Sequence, residues 1–299
     1  MKYKLLGSTG LYVSELCLGT MTFGGSGFWG AVGKMQQEEV NAMVNRCLEA
    51  GINFFDTANV YSEGQSEELL GRALGAKRKE VIVATKVSGR MGPGVNSVGL
   101  SRVSILNEVH ASLRRLNTDY IDLYQIHGFD PMVDMEDVLK TLNDLVRQGK
   151  VRYVGCSNLT AWQLMKYLGI SQQKNLEAFV SLQALYTIGN RDIEREIIPL
   201  LLDQKLGLLV WSPLAGGFLS GKYTRESAGE QGARRTIFDF PVIDKERAYN
   251  IIDVMAKIAG ERGVTVSLVA LAWLLARPAV TSVIIGSKKP EQLEDPAQA

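Results

Sequence analysis

The stretch Val138-Leu-Lys-Thr-Leu-Asn-Asp-Leu-Val-Arg-Gln-Gly149, followed at once by Lys150-Val-Arg-Tyr-Val-Gly-Cys-Ser157, changes its hydrophobic pattern within two residues. Val138, Leu139, Leu142, Leu145 and Val146 fall on one face at helical spacing, and Gly149 supplies the residue that tolerates a left-handed helix end. Residues 151–157 then form a short apolar run of strand length, bounded by that glycine. Helix, glycine, buried strand is the unit.

The unit recurs along the chain. Apolar runs at 15–18, 52–56, 81–86, 121–127, 151–157, 179–183, 206–211 and 281–285 alternate with amphipathic helical stretches. In the first of these helices Val40, Met43, Val44, Cys47 and Leu48 share a face, and Gly51 stops it. Strands that alternate with helices pair in parallel through right-handed crossovers, and strands apolar on both faces are covered on both. Eight such units predict an α/β fold, a single (β/α)8 barrel spanning residues 1–299 as one domain. Ahead of the repeats, Lys2-Tyr-Lys-Leu-Leu6 and Leu11-Tyr-Val13 flank Gly7-Ser-Thr-Gly10 and read as an N-terminal β-hairpin.

Thirty-three basic residues nearly cancel thirty-two acidic ones, for a net charge of +1, so the chain lacks the footprint of a nucleic-acid or membrane-surface binder. The expected partner is a small molecule. With no 18-residue apolar run and no secretory pattern at the start, a cytoplasmic location is expected. Cys17, Cys47 and Cys156 show no metal-ligand spacing, so no metal is expected and all three read as buried apolar residues.

In a barrel of this kind the chemistry sits at the C-terminal strand ends. Read in order, those ends carry Asp56, Tyr61 five residues on, Lys86 and His127. Each alone has a structural reading, as a cap, a packing aromatic or a solvated charge. Together they make sense as a proton donor to a carbonyl oxygen. Free tyrosine has a pKa of about 10. A neighbouring ammonium favours the phenolate, and a carboxylate holds that ammonium in place, so Lys86 and Asp56 are the natural pair beside Tyr61. His127 can orient the substrate oxygen while the tyrosine hydroxyl gives or takes the proton.

The segments Gly-Thr-Met (19–21), Asn-Phe-Phe-Asp-Thr-Ala-Asn-Val-Tyr (53–61), Ala-Thr-Lys (84–86), Asp-Leu-Tyr-Gln-Ile-His (122–127) and Gly-Lys-Val-Arg-Tyr-Val-Gly-Cys-Ser-Asn (149–158) resemble the aldo-keto reductase family from end to end. The resemblance implies a catalytic tetrad of Asp56, Tyr61, Lys86 and His127. It implies an oxidoreductase that interconverts aldehydes or ketones with alcohols by hydride transfer. It further implies cofactor contacts at Thr20, Met21, Asp56, Ser157, Asn158 and Gln183, with Trp211 stacked on the nicotinamide ring. The loop from Ser212 through Pro213, Leu214 and Gly216 to Lys222 would wrap the pyrophosphate through backbone amides. Gly286, Ser287, Lys288 and Gln292 match the adenosine side, where a cation at Lys288 favours NADP(H) over NAD(H).

Two strings are decoys. Gly25-Ser-Gly-Phe-Trp-Gly30 spells a dinucleotide fingerprint but does not open a helix, and Gly216 to Tyr223 imitates a P-loop with Tyr223 where Ser or Thr would bind magnesium. Asn158-Leu-Thr160 is a glycosylation string without meaning in a cytoplasmic chain. Helical spacing makes His110 a packing or surface residue. Phe28, Trp29, Phe129, Phe218, Phe238 and Phe240 are candidate walls of an apolar pocket. Asp295-Pro296-Ala297-Gln298-Ala299 departs from the family pattern, which is expected to alter the border of the pocket and one adenosine contact. A different class of function, a non-catalytic regulatory subunit that binds a nicotinamide nucleotide, is compatible with the same residues, whereas a barrel hydrolase leaves the Tyr-Lys pairing without a role.

Overall fold

Closure of the sheet on itself is what brings distant strand ends together. The computed structural model of the chain describes residues 1–225, 235 and 238–286. Two antiparallel strands, β1 (Tyr3–Leu5) and β2 (Tyr12–Ser14), form the hairpin, with Gly7 and Gly10 at positive φ in its turn. Eight parallel strands follow: β3 (Leu16–Gly19), β4 (Phe54–Asp56), β5 (Ile82–Val87), β6 (Ile121–Ile126), β7 (Val151–Ser157), β8 (Ser181–Leu185), β9 (Gly207–Trp211) and β10 (Val280–Ile285). β10 pairs with β9 on one side and with β3 on the other, which closes the barrel. Every expected strand is present, with ends displaced by no more than two residues.

The described helices are α1 (Gln37–Glu49), α2 (Gln65–Leu74), α3 (Arg102–Arg115), α4 (Met135–Arg147), α5 (Ala161–Lys174), α6 (Ile197–Asp203), α7 (Lys245–Arg262) and α8 (Val266–Leu275). Asp134 caps α4 by accepting from the Glu136 N–H, and the helix buries Val138, Leu139, Leu142 and Leu145 before the chain turns at Gly149, φ +71°. α1 likewise buries Val40, Met43, Val44 and Cys47. No single described helix is long and apolar enough to cross a membrane; α7 and α8 reach that length only as a pair bent by 99°.

The apolar residues separate into layers. The largest cluster lies between the helices and the outer face of the sheet. A second fills the barrel interior with Cys17, Phe54, Ala84, Leu123, Leu209 and Ile284, and the hairpin adds Leu6 and Val13 to it. The hairpin therefore plugs the N-terminal mouth of the barrel. All three cysteines are buried in these clusters, as expected. The fingerprint-like loop carries a turn of 3-10 helix at Gly27–Ala31, a short helical element where none was expected, and no α-helix starts there.

Candidate active site

Successive side chains along a strand alternate between faces, so residues two apart line the same side. Phe54 and Ala84 lie in the apolar interior; two residues on, Asp56 and Lys86 point into the same space at the strand ends. Leu123 and Gln125 repeat the pattern, and Gln183 joins the polar layer from the next strand but one. The result is a polar layer resting on an apolar floor.

Lys86 is completely buried. Its Nζ donates to Asp56 Oδ1 at 2.5 Å, to the Thr57 carbonyl at 2.8 Å and to the Tyr61 hydroxyl oxygen at 3.4 Å, which uses all three of its N–H bonds. Burial alone would lower the Lys86 pKa, but Asp56 and then Tyr61 outweigh it and hold the ammonium above its ordinary value. Asp56, 2% exposed, takes two further hydrogen bonds on Oδ2, from the amides of Gln125 at 3.1 Å and Gln183 at 2.8 Å. A carboxylate that accepts from three donors is fixed in orientation.

Tyr61 is 9% exposed and lies beneath Trp29, whose ring meets it edge-on at 5.2 Å. The His127 ring stands 6.0 Å from that of Tyr61, and burial, followed by the Lys86 cation, pulls its pKa down to about 3. His127 is therefore neutral at pH 7, with one N–H to offer. The four residues picked from strand ends thus surround one point.

Gln125 was missed by motif reading. Its signal was available: it is the one amide in the run Ile121–Ile126, two residues before His127 and on the same face. Gly155 makes room for it, since a Cβ there would lie 3.2 Å from Gln125 Cγ and 2.9 Å from Ser181 Oγ.

A family model described as the aldo/keto reductase family matches residues 15–299. The chain belongs to the aldo/keto reductase family. It is 37% identical to the uncharacterized oxidoreductase YrpG of Bacillus subtilis, over 100% of this chain and 91% of that protein. It is 34% identical to the versiconal hemiacetal acetate reductase of Aspergillus parasiticus, over 95% of this chain and 88% of the relative. It is also 34% identical to a probable voltage-gated potassium channel subunit beta of Arabidopsis thaliana, over 100% of this chain and 91% of the relative. Family membership makes the protein an oxidoreductase of the carbonyl-reducing kind.

In this aldo/keto reductase the residues expected on the cofactor side are placed unevenly. Ser157 Oγ donates to the Gln183 carbonyl at 3.0 Å. Asn158, with φ +57°, donates to the His127 carbonyl and accepts from Trp211 Nε1 at 2.9 Å, tying β6, β7 and β9 together. Trp211 is stacked parallel to Phe240 at 5.7 Å. Thr20 is buried, its hydroxyl bonded to the Asp56 carbonyl and to Ser66, and Met21 is half-buried beside it.

The loop after β9 is tightly turned. Ser212, Ala215, Gly216 and Gly217 all have positive φ, and the amides of residues 215–220 donate to Ser212, Leu214, Ala215 and Gly217 within the same loop. Tight turning consumes these donors internally. Pro213 and Leu214 sit in the turn, and Lys222 brings its Nζ against Gly217. Gly286 is exposed at the end of β10, and Ser287, Lys288, Gln292 and the departure at Pro296 lie outside the described residues.

Of the six candidate wall aromatics, Phe28, Trp29, Phe238 and Phe240 form a chain of ring contacts that runs from Tyr61 to Trp211. Phe218 instead packs on Tyr223 inside a separate apolar cluster beneath α7, and Phe129 packs on Trp162. His110 is exposed, 2.8 Å from Lys150 Nζ.

Proposed function

We propose that the protein reversibly reduces aldehydes or ketones to alcohols, with NADP(H) preferred over NAD(H) and Tyr61 as general acid/base, and that it acts in the cytoplasm with the whole chain as one unit. The observation that carries this reading is Lys86 Nζ, held between Asp56 Oδ1 and the Tyr61 oxygen. An oxygen that accepts from an ammonium keeps its own O–H for donation and is stabilised as it becomes anionic.

The residues suit a nicotinamide dinucleotide. Ser157, Asn158 and Gln183 offer hydroxyl and amide groups at neighbouring strand ends, Trp211 offers a ring, and Lys222 offers a cation beside the turned loop. The preference for NADP(H) rests on Lys288. When bound, the nicotinamide supplies the hydride for the carbonyl carbon. Tyr61 transfers its proton to the carbonyl oxygen, and Lys86 stabilises the phenolate that remains. Neutral His127 donates an N–H to the same oxygen and orients it; alcohol oxidation runs these steps in reverse. The arc of Phe28, Trp29, Phe238 and Phe240 favours substrates with an apolar body and excludes water.

The test is fluorescence titration with NADPH and NADH, followed by nicotinamide absorbance after adding aldehydes, ketones and quinones. Turnover that Tyr61→Phe lowers by about 10²- to 10⁴-fold, with cofactor binding retained, is expected. Tight binding without turnover would replace this reading with that of a nucleotide-binding regulatory subunit.

A further inference from the structure

Behind Lys86, on the outer face of the barrel wall, lies a buried ionic cluster with no part in the proton transfer just described. Glu67, on α2, is wholly buried; Oε1 accepts from Thr85 Oγ1 at 2.5 Å and Oε2 from Arg115 Nε at 2.6 Å. Arg115, the last residue of α3, also reaches Ser112 Oγ at 3.2 Å and Glu108 at 3.5 Å. Glu108 in turn accepts from Asn59 Nδ2 at 3.0 Å. Burial, and after it the charges of Glu67 and Glu108, pushes the nearby Tyr124 phenol above its ordinary pKa.

Taking an ion pair out of water costs about as much as its attraction returns, so stability alone is a weak reason for this cluster. What it touches is specific. Thr85 precedes Lys86 on β5, and the Asn59 N–H donates to the Lys86 carbonyl at 3.2 Å. Arg115 also lies under the turn that follows Tyr61. Ser62, Glu63 and Gly64 have φ of +48°, +56° and +96°, and a Cβ on Gly64 would sit 2.7 Å from Arg115 Cδ. One pair of side chains therefore braces both the strand that carries Lys86 and the turn that carries Tyr61.

We propose that the Glu67–Arg115 pair is a positioning device that sets the distance between the Tyr61 hydroxyl and Lys86 Nζ. That distance, 3.4 Å, is at the long end for a hydrogen bond, where a small displacement breaks the contact. The proposal rests on Tyr61 being the proton donor, and its test is chosen to stand apart from that reading.

The measurement is ultraviolet difference titration of Tyr61 in wild type, Glu67→Gln, Arg115→Lys and Thr85→Val, each subtracted from the same protein carrying Tyr61→Phe. Electrostatics and positioning have opposite signs in Glu67→Gln. Removing a nearby negative charge by itself would lower the Tyr61 midpoint, whereas loss of the Lys86 contact raises it. A rise of about one pH unit is expected. A smaller rise is expected for Arg115→Lys, which keeps the charge, and for Thr85→Val, which keeps the shape. With a carbonyl substrate, kcat of Glu67→Gln falls on the order of 10- to 100-fold while the Kd for NADPH is unchanged. Variants that melt earlier but titrate and turn over like wild type would overturn the proposal. If wild type reduces no carbonyl, the functional reading fails, and the titration still decides the positioning.

Discussion

Lys86 Nζ lies 2.5 Å from Asp56 Oδ1, with both side chains closed to solvent. Both groups are removed from water, and each lies against the opposite charge.

Breaking that pair from one side should be costly. Asp56→Asn leaves a buried ammonium without its counter-charge and is expected to destabilise the protein by about 3 to 5 kcal/mol, with turnover lost. Denaturant unfolding measures the first effect. Unchanged stability would mean that water reaches Lys86.

Gln125 should matter for rate more than for folding. Gln125→Leu fills similar volume but removes one donor from Asp56 Oδ2. A loss of about 1 to 3 kcal/mol in transition-state stabilisation, read as kcat/KM, is expected. Full activity would show that Gln183 alone suffices to orient Asp56.

His127 predicts an acid-sensitive fold. Its folded pKa, about 3, lies below the ordinary 6.5, so the unfolded chain binds a proton between those values while the native chain does not. Its contribution to stability is therefore complete above about pH 6.5 and is lost progressively as the pH falls toward 3. Unfolding free energies from about pH 4 to pH 7 should decline toward acid more steeply in wild type than in His127→Asn. Parallel curves would refute the assignment.

At the opposite end of the barrel, Arg78 meets Asp122 at 2.7 Å, donates to the carbonyls of Val81 and Tyr120, and shares the Tyr120 ring with Arg152. Burial, the largest influence on Asp122, keeps its pKa raised in spite of Arg78. Arg78→Ala is expected to lower stability by about 3 kcal/mol and leave kcat per folded molecule unchanged. A fall in kcat at equal folding would show that the N-terminal face communicates with the site.

The fold was legible because each strand and helix announces itself locally. The period of α4 ends at Gly149 and the buried run of β7 begins at Val151, and nothing distant is needed to see either. Asp56, Tyr61, Lys86 and His127 were legible as polar residues at strand ends whose common face the barrel topology dictates. Phe218 was not: its loop position suggested a pocket wall, but the packing of α7 and α8 against that loop buries it. The internal bonding of the loop amides of residues 215–220 was not legible either, because it follows from a run of positive φ angles that turns them onto oxygens of the same loop.

By itself the sequence determined the order of strands and helices, the closed architecture and the residue types at the C-terminal strand ends, since these follow from periodicity and from the fixed handedness of the connections. Only the tertiary structure decided that Gln125 and Gln183 share one oxygen of Asp56, and that Glu67 and Arg115, 48 residues apart, form a buried ion pair against Thr85. Hydrogen bonds of this kind depend on tenths of an ångström and on angles, and closure of the barrel sets both between strands that the chain keeps far apart.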